Sequence, residues 1–186
     1  METMGTDDID LEALRAEFLK IGEEWMQPPD QNEKKLLFQI SRLKMQTVQV
    51  APEEQIAYMR MPPRQCHANC EWYAEQPNPM HEIGVLRGWR LENDVYILHS
   101  VVTVDGQPLC ITPAEIYEPT MLFAADKKIR RKAGDDSLYH YFRGSIPIGK
   151  GVRRDPEKTI ELTKKIRARL LSGMHPVEAM NIDPEE

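Results

Sequence analysis

Cysteine is scarce in this chain, three residues among 186, an odd number and too few for a disulfide framework. No apolar run approaches the roughly 20 residues that a membrane-crossing helix requires. Cationic excess is missing too: the net charge is −6, which argues against a dedicated nucleic-acid binder. The opening stretch, Met1 to Asp10, is acidic and has neither the basic nor the apolar region of a secretory signal. A reduced, cytoplasmic setting without membrane contact is therefore expected. There is no internal repeat and no low-complexity tract. The Gly-Lys-Gly at residues 149–151 lacks the spacing of a phosphate-binding loop.

What is present fits one compact domain with helical extensions, since 41% of the residues are hydrophobic. Residues 8–27 carry Ile9, Leu11, Leu14, Phe18, Ile21 and Trp25 near helical spacing, and Pro28-Pro29 ends that helix. A second helix is expected over residues 31–45 and a short strand over 47–50. Residues 52–63 are bounded by prolines, and Pro62-Pro63 imposes an extended entry to the cysteine-bearing stretch. A helix over 65–75 is stopped by Pro77-Asn78-Pro79. Strands are then expected over 85–91, 95–104 and 107–112, with turns at Glu92-Asn93-Asp94 and Asp105-Gly106. Further strands are expected over 121–125 and 138–142, with a turn at 134–136 and a loop over 145–151. Asp155 and Pro156 open a last long helix that reaches Leu171 and stops at Gly173. Residues 176–180 add a turn, and the acidic tail is expected to fray. The organisation expected is a helical extension over 1–63, an α+β core over 64–149, and a C-terminal helix and tail over 150–186.

The chemistry-bearing residues gather between Arg64 and Pro113. All three cysteines lie there, as does His99, the histidine embedded in a clear strand. A thiol attacks as its thiolate, and a helix N-terminus with a nearby imidazolium lowers its pKa. Cys66 stands where the helix begins. Cys70 is one turn deeper on the same face, so Cys66 has the better electrostatic position. Gln65 or Asn69 is the candidate for oxyanion support beside a backbone N–H. His99 shares strand parity with Val95, Ile97 and Val101, a pattern that also suits a buried core histidine.

These residues resemble a family. Gln65-Cys66-His67-x-Asn69, Gly88-Trp89, His99-Ser100-Val101-Val102, Asp105-Gly106 and Ile111-Thr112-Pro113 resemble small bacterial proteins carrying Cys-His-x-Asn, Gly-Trp, His-Ser-Val-Val and Asp-Ile-Thr-Pro motifs. The order of these motifs is similar to that of the papain-like and transglutaminase-like cysteine hydrolase superfamily. The likeness covers the middle third of the chain. It implies a papain-like core, in which a cysteine-bearing helix packs on an antiparallel sheet, and a peptidase, amidase or deamidase chemistry. It implies Cys66 as nucleophile and His99 as general base. Where the pattern places the acid that orients the histidine, this chain has Cys110, and a neutral thiol cannot stabilise an imidazolium as a carboxylate does.

The leading expectation is a cysteine-dependent hydrolase or acyl-transfer enzyme acting on a peptide or small amide-containing substrate without a cofactor. One alternative is a non-catalytic descendant of the fold serving as an adaptor. Another is structural zinc held by Cys66, Cys70, Cys110 and His67 or His99, although two closely spaced ligand pairs are lacking. The plain reading of Cys70 and Cys110 is as small buried hydrophobes. Basic runs at 127–132 and 150–154 flank Tyr139, Tyr141 and Phe142 and read as solvated faces, so nucleic acid is not the expected partner. The apolar stripes of the terminal helices pack on the core by default, with a homodimer as the alternative.

Overall fold

The computed structural model describes residues 10–135 and 138–182; the acidic tail and part of the turn expected at 134–136 lie outside them. The fold is mixed α+β, and the chain divides into two compact units, Asp30–Arg154 and the two ends, Met1–Pro29 with Asp155–Glu186.

The unit from the two ends is helical. Helix α1 (Leu11–Trp25) opens on Asp10, whose carboxylate accepts from the Glu12 and Ala13 amides at 3.1 and 3.0 Å. Gly22 of α1 lies against Thr163, where an added Cβ would meet the threonine methyl at 3.4 Å. Helix α5 (Pro156–Leu171) has the expected cap and first residue: Asp155 accepts from the Lys158 amide at 3.0 Å, with Pro156 beside it. A short α6 (Pro176–Met180) follows, and Arg15 donates to the Gly173 and Met174 carbonyls at 3.2 and 3.1 Å.

The central unit is built on strands. In chain order it has α2 (Gln31–Ile40), β1 (Gln46–Val50), α3 (Glu53–Met59), α4 (Cys66–Glu75), β2 (Ile83–Glu92), β3 (Val95–Val104), β4 (Gln107–Cys110), β5 (Thr120–Ala125), β6 (Ile129–Ala133), β7 (Tyr139–Arg143), β8 (Ile146–Ile148) and β9 (Val152–Arg153). Two tight hairpins form where the sequence marks them. Asn93 and Asp94 have φ of 48° and 61°, and Asp105 and Gly106 have 51° and 80°, the left-handed pair that a primed two-residue turn needs.

The structure differs from the sequence expectation in several places: α2 stops at Ile40 rather than reaching residue 45, and β6 and β9 form where no strand was expected. The proline-bounded stretch contains helix α3, because Pro52 takes its start and Arg60, at φ 53°, turns the chain out of it. The stretch expected to be a loop contains β8, which pairs with β7 across Gly144 at φ 62°. Pro147 is tolerated because β8 is the edge of its three-stranded sheet, in order β6-β7-β8. Finally, the main sheet is not an open antiparallel layer. It runs β2-β5-β1-β4-β3-β9, and β2 also pairs with β3, so five strands close into a barrel. One of its pairings, β1 with β4, is parallel.

Every barrel strand sends apolar groups inward: Val48 from β1, Leu86 from β2, Val101 from β3, Cys110 from β4, and Met121 and Phe123 from β5. Gly88 is required at its place. An added Cβ would meet the Ala124 carbonyl oxygen at 2.1 Å and the Phe123 ring at 2.6 Å. On the outer wall, α3 and α4 cover Val102 and Ile111 through Ile56, Met61 and Cys70. Helix α2 and the three-stranded sheet cover Trp89, Tyr96 and Val152 elsewhere on the wall. Asp126 anchors that second layer: it accepts from the Trp89 indole at 3.0 Å and from Arg143 at 2.5 Å, while Arg143 also donates to Gln39.

Candidate functional site

Helix α4 starts at Cys66, directly after Gln65, and packs on the outer wall of the barrel at β3, the strand that carries His99. On the edge away from β2, strand β3 is paired by β9 at residues 95–96 and by β4 at 102–104. Between them, among the described residues, residues 97–101 have no strand partner on that edge. The Cys66 sulfur comes to this interval, where the Ser100 backbone N–H faces it together with the amides of His67 and Cys66 itself. A helix-start thiol is thereby set against the residue that follows His99. Burial pushes the Cys66 thiol up from its ordinary value, and the three amides and the Arg90 guanidinium oppose that rise.

His99 has the parity of Val101 and points into the barrel, opposite Gly88 on β2. Its ring meets Phe123 edge-on at 6.5 Å between centroids, and its Nε2 lies 3.4 Å from the Cys110 sulfur. The residue standing at the acid's place in the sequence pattern is thus in contact with the imidazole. Burial, with Arg90 and His67 adding to it, lowers the His99 pKa to about 3, so the ring is neutral near pH 7. Burial likewise raises the thiols of Cys110 and Cys70, the latter strongly. Both behave in the structure as buried groups, with 2% and 0% of their surface exposed.

Gln65 and Asn69 are placed differently. Gln65 is exposed and makes no side-chain capping bond to its helix. Asn69 is buried and its amide donates to the Pro62 carbonyl at 2.9 Å and to the Thr112 hydroxyl at 3.5 Å. Its donors tie α4 to the preceding loop and to the end of β4, and that is the role the geometry gives it.

A second polar group on the outer wall centres on His67, which sequence reasoning offers only as a possible zinc ligand. His67 Nδ1 lies 2.6 Å from the Ser100 hydroxyl, and its ring stacks on Tyr141 with centroids 4.3 Å apart. Burial, with Arg87 next, lowers its pKa to about 4. One turn on, Glu71 takes Arg87 at 2.6 Å and also pairs with Arg131, which reaches across from β6. His67 and Glu71 at helical spacing of four were a legible signal. Arg87, Ser100 and Arg131 are joined only through the sheet register and the packing of β6.

Comparison of the chain with models of protein families, with curated proteins and with solved structures finds no match. Among the described residues, no group of three or more His, Cys, Asp or Glu side chains is arranged to hold a metal ion. None of the described helices is long and apolar enough to cross a membrane.

Proposed function

We propose that this protein is a cysteine-dependent hydrolase or acyl-transfer enzyme with a papain-like core, acting on an amide or related carbonyl bond. The observation that supports it is the setting of the Cys66 thiol, at the first turn of a helix and against the β3 backbone immediately beside His99. In this reading Cys66 is the nucleophile and His99 the general base. With Nε2 at 3.4 Å from the Cys110 sulfur, the tautomer carrying its proton on Nε2 donates to that sulfur and leaves Nδ1 as the basic nitrogen. The attacked carbonyl oxygen draws on backbone N–H groups at the start of α4, with the exposed Gln65 amide beside them.

The resting pair is neutral: a thiol raised by burial and an imidazole with a pKa of about 3. Proton transfer must therefore accompany attack, since no standing thiolate–imidazolium pair exists. That same observation favours a second reading, a non-catalytic binding protein that retains the fold. Exposure to p-nitrophenyl acetate separates them. The enzyme reading expects one acetyl group on Cys66, released by water and absent from Cys66→Ser, with acylation slowed in His99→Ala. A binding protein gives no acetylation at Cys66.

A further inference from the structure

Strand β2 places a third residue on the same face, one inward position beyond the residue opposite His99. Leu86, Gly88 and Arg90 alternate on the inward face, Leu86 belongs to the interior cluster, and Gly88 stands opposite His99. Arg90 is the next inward position. It pairs with Ile97 on β3 and with Phe123 on β5, the ring against which His99 packs. Only 19% of its side chain is exposed. Among the described residues its ion-pair partner is Glu92, through Nε at 3.2 Å, and Glu92 is itself 43% exposed. An arginine with so little of its side chain exposed is costly unless its charge is used or matched. This one acts on the site, lowering the pKa of Cys66, His99 and Cys110 alike.

On the outer wall beside His67, Arg87 and Arg131 share the single carboxylate of Glu71.

We infer that Arg90 is a specificity-determining residue that receives a carboxylate of the substrate, so that the amide attacked by Cys66 carries an anionic group close to the scissile carbon. The inference rests on the reading of Cys66 as nucleophile. A guanidinium presents paired N–H donors that match a carboxylate, and the Glu92 contact is made through Nε. Pairing with a substrate anion would also offset the cation that disfavours protonated His99, which couples recognition to the proton transfer.

Two alkylating reagents of the same size test this, with each cysteine followed by peptide mass mapping. Iodoacetate carries the carboxylate and iodoacetamide is neutral. For an ordinary thiolate the neutral reagent is the faster. At Cys66 the ratio of iodoacetate to iodoacetamide rates should exceed that of free glutathione by about tenfold. Arg90→Gln should abolish that excess even where it slows both reagents, because the ratio of the two rates cancels any change in thiolate fraction, and Arg90→Lys should keep most of it. Should the Gln variant fold poorly, protection of the native protein gives the same answer: N-acetylglutamate should slow iodoacetamide at Cys66 more than N-acetylglutamine does. Ready labelling of Cys66 with no preference for iodoacetate, or a preference that survives Arg90→Gln, overturns the role of Arg90 and leaves the nucleophile standing. Labelling of Cys66 by neither reagent faster than Cys70 or Cys110 overturns both.

Discussion

His99 Nε2 lies 3.4 Å from the Cys110 sulfur, so the imidazole leans on a thiol rather than on a carboxylate. Cys110→Asp should therefore raise the His99 pKa from about 3, because an adjacent anion favours the charged ring. A buried carboxylate left without a matching partner would cost the fold about 1–3 kcal/mol or more. Proton NMR of the ring and thiol labelling across pH should show the rise together with faster reaction at Cys66. A less stable variant with unchanged Cys66 reactivity would separate Cys110 from the site.

Gly88→Ala should be among the most damaging single substitutions in the central unit. The added methyl would meet the Ala124 carbonyl at 2.1 Å and the Phe123 ring at 2.6 Å, and neither a sheet backbone nor a packed interior ring can yield by that much. A loss of about 3 kcal/mol or more in denaturant unfolding is expected. A loss below about 1 kcal/mol would show that the barrel around His99 is looser than these contacts require.

Asp126→Asn should destabilise by about 3–5 kcal/mol, because it leaves the buried Arg143 guanidinium without its counter-charge. The Trp89 indole loses its charged acceptor in the same change, so the tryptophan emission should shift as well. Unfolding curves read by fluorescence report both effects.

Acid should weaken the fold before the carboxylates titrate in full. His67 and His99 have folded-state pKa values of about 4 and about 3, below their ordinary 6.5, so the unfolded chain binds more protons between those limits. Stability from these two groups is complete above pH 6.5 and is lost as pH falls through that window, by about 2 kcal/mol per imidazole at pH 5. Asp126, held below its ordinary value although burial pushes the other way, adds a loss of the same sign at lower pH. His67→Gln and His99→Gln should each flatten the stability curve between pH 7 and 4. Curves of unchanged slope would mean that the rings are open to protonation in the folded state.

The local elements of the fold were legible in the sequence, and their long-range partners were not. The Asp-Gly and Asn-Asp turns fixed β2, β3 and β4 through backbone preference at single residues, and Asp155-Pro156 fixed the start of α5. Barrel closure depends on β1 meeting β4 and β5, segments far apart in the chain whose alternating pattern names no partner. The site divides the same way. Cys66 at a helix start follows from the Pro-Pro break before it, and the inward parity of His99 follows from its strand. That Asn69 spends its donors on Pro62 and Thr112, and that Arg90 follows on β2 from the residue opposite His99, required the register.

The most direct test of Cys66 as an activated nucleophile is the rate at which iodoacetamide labels each cysteine of the folded protein at neutral pH, with His99→Ala alongside. Burial raises the Cys66 thiol, but Cys66 is 9% exposed, starts a helix and has three backbone amides and Arg90 opposing that rise, whereas Cys70 and Cys110 are buried more deeply. Cys66 should be labelled at least about tenfold faster than either of the others, and loss of the His99 imidazole should slow it. Equal labelling of the three cysteines, or a Cys66 rate indifferent to His99, would contradict that role.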